Sequence, residues 1–143
     1  MVEDRGVTAR IIVGTVFGRT SPVGQLSPWL YAEVLLEPGA VAPLDADVEE
    51  RAIYVVDGEI EIANERYESP RLLIFRPGDR MTVKALKPTR MMFLGGDALE
   101  GPRHIWWNFV SSSKERIEQA KQDWKTGRFE QVPNEHEFIP LPE

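Results

Sequence analysis

Residues Glu50–Ile62 constrain the fold more than any other stretch. Two β-prone runs flank Asp57 and Gly58. An Asp-Gly pair tolerates the positive φ angles of a type I′ turn, so the stretch predicts a two-stranded hairpin. Beyond the turn, Ile60 and Ile62 alternate with Glu59 and Glu61, which gives one dry face and one wet face. Before it, Ile53 and Val55 point one way and Ala52, Tyr54 and Val56 the other. Both sides are mostly apolar, which predicts a strand covered on both faces. A hairpin alone is not stable in water, so the rest of the chain must supply a sheet.

The flanking segments read that way. Val7–Phe17 and Trp29–Leu36 are β-prone, with a loop over Gly18–Pro28 and a turn at Pro38 and Gly39. Ala40–Leu44 is a short apolar strand. After a turn-bearing connection over Asn64–Pro70, strands are predicted at Leu72–Phe75, Met81–Ala85 and Thr89–Leu94, the last ended by Gly95 and Gly96. His104–Val110 is a further aromatic strand. About nine short strands with a turn signal roughly every ten residues indicate an antiparallel sandwich or barrel. One helix follows. Ser112 and Glu115 have capping-box spacing, Ile117, Ala120 and Trp124 share a face, and Gly127 sits at the C-terminal glycine position. That stripe predicts packing on the barrel or on a partner subunit. The tail holds three prolines with Phe138, Ile139 and Leu141, and is expected to lie extended along the surface.

Bulk properties exclude several function classes. A chain of 143 residues buries about two-thirds of its unfolded surface without staples. It has no cysteine, which removes disulfides, thiolate metal sites and cysteine nucleophiles, and fits a cytoplasmic location. No apolar run reaches the roughly 18 residues of a membrane span, and the N-terminus lacks the apolar core of a signal peptide. The net charge of −6 argues against nucleic acid as a partner.

Local motifs exclude more. There is no G-x-S-x-G elbow and no glycine-rich phosphate loop. Ser111–Ser113 reads as helix capping. His104 and His136 have no metal-ligand spacing; the first reads as a packed residue and the second as a solvated tail residue. Acidic residues crowd Asp45–Glu68 and basic ones Arg71–Arg90, which predicts cross-strand pairing between neighbouring strands, the alternative being a local basic face that meets phosphate or an acidic partner. Trp106 and Trp107, adjacent on one strand, are expected to face opposite sides.

The chain resembles the cupin superfamily, and more specifically the C-terminal half of pirin-like proteins. The matching segments are Gly18–Pro22, Ile53–Gly58, Leu94–Gly96, Gly101–Ser112 and Phe138–Pro142. The resemblance implies an all-β fold: a single cupin (jelly-roll) barrel over about 7–110, one C-terminal helix over about 113–126 and an extended tail over 128–143. It also implies a two-cupin family whose N-terminal cupin carries a metal, usually iron, with members described as quercetin dioxygenases or transcriptional co-regulators. This length leaves no room for that N-terminal domain, so the activity is not expected to transfer.

Metal-binding cupins resemble G-x5-H-x-H-x3-E-x6-G, followed by a Pro-Gly turn with a histidine three residues on. Here Gly39 and Gly58 bracket the first motif, and the four ligand positions hold Asp45, Asp47, Arg51 and Met81. A cation at the glutamate position opposes a metal, so no metal and no cofactor are expected. The function read from the sequence is a small-molecule-binding or protein-interaction module. Asp45, Asp47, Arg51 and Met81 would line the barrel interior, with Arg51 offered to the carboxylate of a small organic ligand. The alternatives are a cupin dioxygenase or isomerase with a remade site, and a docking half for a separate metal-bearing cupin. Docking predicts an exposed apolar face or a homodimer that covers it.

Overall fold

The computed structural model describes residues 1–44 and 47–142. In chain order the strands are β1 (Val2–Asp4), β2 (Val7–Val13), β3 (Thr15–Val16), β4 (Arg19–Thr20), β5 (Trp29–Leu36), β6 (Val41–Pro43) and β7 (Glu50–Asp57). Then come β8 (Glu59–Ile62), β9 (Glu65–Glu68), β10 (Arg71–Phe75), β11 (Thr82–Ala85), β12 (Thr89–Gly96), β13 (His104–Trp106) and β14 (Phe109–Ser111). The helix α1 spans Lys114–Lys125. Contacts gather the chain into two units, Met1–Ala98 and Leu99–Glu143. The β13–β14 hairpin, expected within the barrel, clusters with the second unit.

The first unit packs two antiparallel sheets face to face. One has six strands in the order β1-β2-β5-β12-β7-β10; the other has four in the order β6-β11-β8-β9. Alternation along each strand sends one row of apolar side chains inward. Ala32, Val34, Ile53, Val55, Met91 and Phe93 from the large sheet meet Ala42, Ile60, Ile62, Val83 and Ala85 from the small one, all of them buried.

The Asp57–Gly58 pair does not make the expected hairpin. β7 pairs with β12 and β10 in the large sheet, and β8 pairs with β11 and β9 in the small one. The pair is a corner where the chain changes sheets. Gly58 takes φ +98°, and a Cβ there would meet the Pro88 carbonyl oxygen and Thr89 Oγ1 at 2.5 Å each. Glycine is required because another strand's backbone presses against it. The two-residue hairpin lies one strand later, in the segment expected only as a connection. Ile62 pairs with Glu65, and Ala63 and Asn64 take φ 51° and 65°, as a type I′ turn requires. β12 does not stop at Leu94; Gly95 and Gly96 are its last two residues and pair with Arg51 and Glu50 of β7. Across the charge split, an acid–base pair forms between a turn and a strand rather than between two strands, Lys87 lying between β11 and β12 and Glu59 on β8. Lys87 lies 2.7 Å from Glu59, and that bond holds the Glu59 carboxyl below its usual range and raises the Lys87 ammonium.

In the second unit, His104–Val110 is not one strand. Trp106 pairs with Phe109, and Trp107 sits in the reversal between them with φ 50°. Reversal cancels strand alternation, so both indoles join one cluster: Trp106 and Trp107 meet edge to face at 6.3 Å, and Trp107 meets Trp124 at 5.1 Å. The helix begins one residue later than expected. Ser113, not Ser112, accepts the Arg116 N–H, so Glu115 is one position short of a capping box and instead accepts the Ser113 hydroxyl at 2.6 Å. That bond lowers the Glu115 pKa. At the other end, Gly127 N–H donates to Trp124 and Arg128 N–H to Asp123, with Gly127 at φ 67°. This is a Schellman cap. Ile117 is buried and the helix lies against β13 and β14. The tail returns along the helix: Trp124 Nε1 donates to the Ile139 carbonyl at 2.8 Å, and Phe138 stacks on Trp124.

Candidate functional site at the barrel mouth

Arg51 is the only buried ionised side chain among the described residues, at 7 % exposure. Its position follows from strand alternation: it shares the inward row of β7 with Ile53 and Val55. The flanking inward residues are Phe75 of β10 and Gly95 of β12. A Cβ on Gly95 would come within 2.7 Å of Val48 Cγ2 and 2.9 Å of the Glu50 carbonyl oxygen. Glycine there lets the segment entering β7 lie close against β12.

The guanidinium reaches out of the large sheet to the small one. Nη1 donates to the Leu44 carbonyl at 2.9 Å, and Nη2 donates to the Asp79 carbonyl. Leu44 follows β6 and Asp79 precedes β11. These two segments are also joined directly, Leu44 N–H donating to the Met81 carbonyl at 2.9 Å. Beside Arg51 opens a cavity of about 450 Å³, whose lining includes Phe17, Asp47, Arg51, Asp79 and Arg80.

Of the residues singled out from sequence, the structure brings Asp47 and Arg51 to this cavity. Asp47 is exposed. Met81 is half-buried and packs against the core beside the rim. Asp45 lies outside the described residues. Sequence reasoning missed the two carbonyl acceptors and the β3–β4 hairpin that contributes Thr15 and Phe17; Gly18, after Phe17 with φ 51°, was the available turn signal. Both histidines belong to the second unit. His104 pairs with Ser111, and the His136 N–H donates to Glu135.

A second feature lies on the outer face of the large sheet. One row across it reads Ile74, Ala52, Leu94 and Tyr31; the next reads Leu72, Tyr54 and Met92 and ends at Glu33. Ile74 is 76 % exposed, Leu72 54 % and Tyr54 39 %. β7 is thus apolar on both faces, as its sequence reads, but its outer face is open rather than covered. Glu33 closes the patch with a polar border, 2.7 Å from Arg90 and 3.8 Å from Arg10.

Two face-packed antiparallel sheets with the chain crossing between them make this barrel a cupin. A crystal structure of quercetin 2,3-dioxygenase from Acinetobacter baumannii superposes with a TM-score of 0.84 at 21 % identity, over 99 % of this chain and 49 % of that one. Residues 31–130 match the pirin C-terminal cupin domain, and the chain belongs to the pirin family. A pirin-like protein of Caulobacter vibrioides is 47 % identical over 142 residues, 99 % of this chain and 49 % of the relative. Human pirin is 29 % identical over 131 residues, 86 % of this chain and 45 % of its own length. The chain spans about half the length of the curated relatives it matches.

Proposed function

We propose that this cupin domain is a protein-interaction module whose outer sheet face docks on a second cupin barrel. The observation that carries the reading is the apolar patch of Ile74, Leu72, Tyr54, Met92 and Leu94. Its two rows cross four strands about 4.8 Å apart and span three residues about 3.3 Å apart, roughly 190 Å² in projection, and standing side chains raise the accessible area above that. An apolar patch rimmed by charge, here Glu33 with Arg10 and Arg90, is the form interaction sites take. Docking is face to face rather than edge to edge. β10 is a short edge strand that opens on Arg71 directly after Pro70 and is followed by Arg76 and Pro77, the features that discourage strand addition. The relatives run to about twice this length, which supplies a second barrel's worth of chain. In the isolated chain a second copy takes that place. Sedimentation velocity of the purified protein is expected to show a concentration-dependent dimer; a monomer at every concentration refutes the reading.

A second reading rests on the mouth cavity. Arg80 at its rim and Arg51 in its wall suit the carboxylate of a small organic ligand. A thermal shift with a carboxylate among a metabolite panel is the expected result, and no shift with any of them counts against it. Oxygenase chemistry, named for the Acinetobacter relative, requires a metal donor set. Among the described residues, Asp47, Arg51 and Met81 do not fit one: of these three, one offers a carboxylate, one a thioether and one a buried cation that repels M²⁺. No group of three or more His, Asp or Glu that would hold a metal occurs among the described residues.

A further inference from the structure

The misfit with a metal points to another use of the same position. We infer that Arg51 ties the barrel mouth, its guanidinium joining the segments that a metal held at these positions would join. A metal there would link the chain after β6, the inner row of β7 and the chain before β11. Arg51 makes those links itself. It springs from the large sheet and donates to the Leu44 and Asp79 carbonyls, both on segments that belong to the small sheet.

The chemistry suits the task. A buried cation is costly unless hydrogen-bonded, and here a planar fork meets acceptors from two different segments. Leu44 is fully buried, so its carbonyl has little access to water if the guanidinium is removed. The tie is made by side-chain donors and backbone carbonyls, so it does not yield to a chelator. The inference is independent of the docking face, which uses the opposite row of β7.

Hydrogen exchange of the whole chain tests it, comparing the wild type with Arg51→Met and Arg51→Lys. Arg51→Met keeps an apolar stem and removes every donor. Exchange at Leu44 and Asp79, whose N–H groups donate to the Met81 and Arg76 carbonyls, is expected to rise roughly tenfold or more, as for a buried acceptor left unmade, while β5 and β12 keep their protection. Arg51→Lys, with one compact ammonium in place of a fork, is expected to loosen one rim segment and retain the other. EDTA is expected to leave wild-type exchange unchanged. Unchanged rim exchange in both variants overturns the inference, as does loosening spread evenly over both sheets, or a wild-type rim that EDTA loosens. Should Arg51→Met fail to fold, Arg51→Lys decides: wild-type protection at both rims in that variant overturns the tie.

Discussion

Replacing Leu72 and Ile74 together by threonine removes the most exposed part of the apolar face while leaving a β-branched, strand-compatible side chain at each position. Each substitution deletes roughly two methylene equivalents and adds a hydroxyl, a loss of about 1–2 kcal/mol at full burial. Ile74 is 76 % exposed and Leu72 54 %, so docking would cover most of Ile74 and half of Leu72. That scales to about 1 kcal/mol at each site. In a two-fold dimer both protomers present the same patch. Association is therefore expected to weaken by roughly thirtyfold when one protomer carries the pair and by about a thousandfold when both do. The fold itself should move by no more than about 0.5 kcal/mol, because both side chains already face water. Sedimentation equilibrium gives the dissociation constant and denaturant unfolding the stability. An unchanged dissociation constant refutes the docking face. Weakened association with a matching loss of fold stability refutes it too, since the effect would then arise from unfolding.

Other outcomes follow from particular geometry. Gly58→Ala is expected to cost about 2 kcal/mol or more in denaturant unfolding, since its Cβ would press on Pro88 and Thr89 at a positive φ. Ala63→Gly, at φ 51° in the β8–β9 turn, is expected to gain about 0.5 kcal/mol by the same measurement. The tail turn should open in acid. The Glu135 carboxylate accepts the N–H groups of Glu137 and His136 at 2.8 Å each, and these bonds lower its pKa. A lowered carboxyl pKa contributes stability above the unfolded value of about 4.3 and loses it as pH falls through the folded value. The protection factors of those two amides, followed by NMR, are expected to stay constant from neutral pH down to that range and to fall below it. Glu135→Gln should show weakened protection already at neutral pH.

Local pattern by itself determined much of this protein. Alternation placed β5 at Trp29–Leu36 and identified the inward row of Ile53 and Val55. It also placed the helix, its Ile117–Trp124 stripe and its terminal Gly127. The segments from Gly18 to Pro142 that carry the family resemblance were legible for the same reason: each is a short run with a fixed local shape. What tertiary structure alone decided was who pairs with whom. Asp57–Gly58 reads as a hairpin because its turn chemistry is local, but whether the chain folds back or crosses to another sheet depends on the Pro88–Thr89 backbone thirty residues away. Trp106 and Trp107 read as opposed faces until the reversal at Trp107 puts them together. The sequence marked Arg51 as the odd residue at a ligand position. The two carbonyls it holds carry no side-chain signal, because every residue has one; only the folded barrel brings those of Leu44 and Asp79 to its fork. Likewise, the apolar outer row of β7 was visible in sequence, but whether that row is covered is a property of the assembled sheet, where its neighbours leave it facing water.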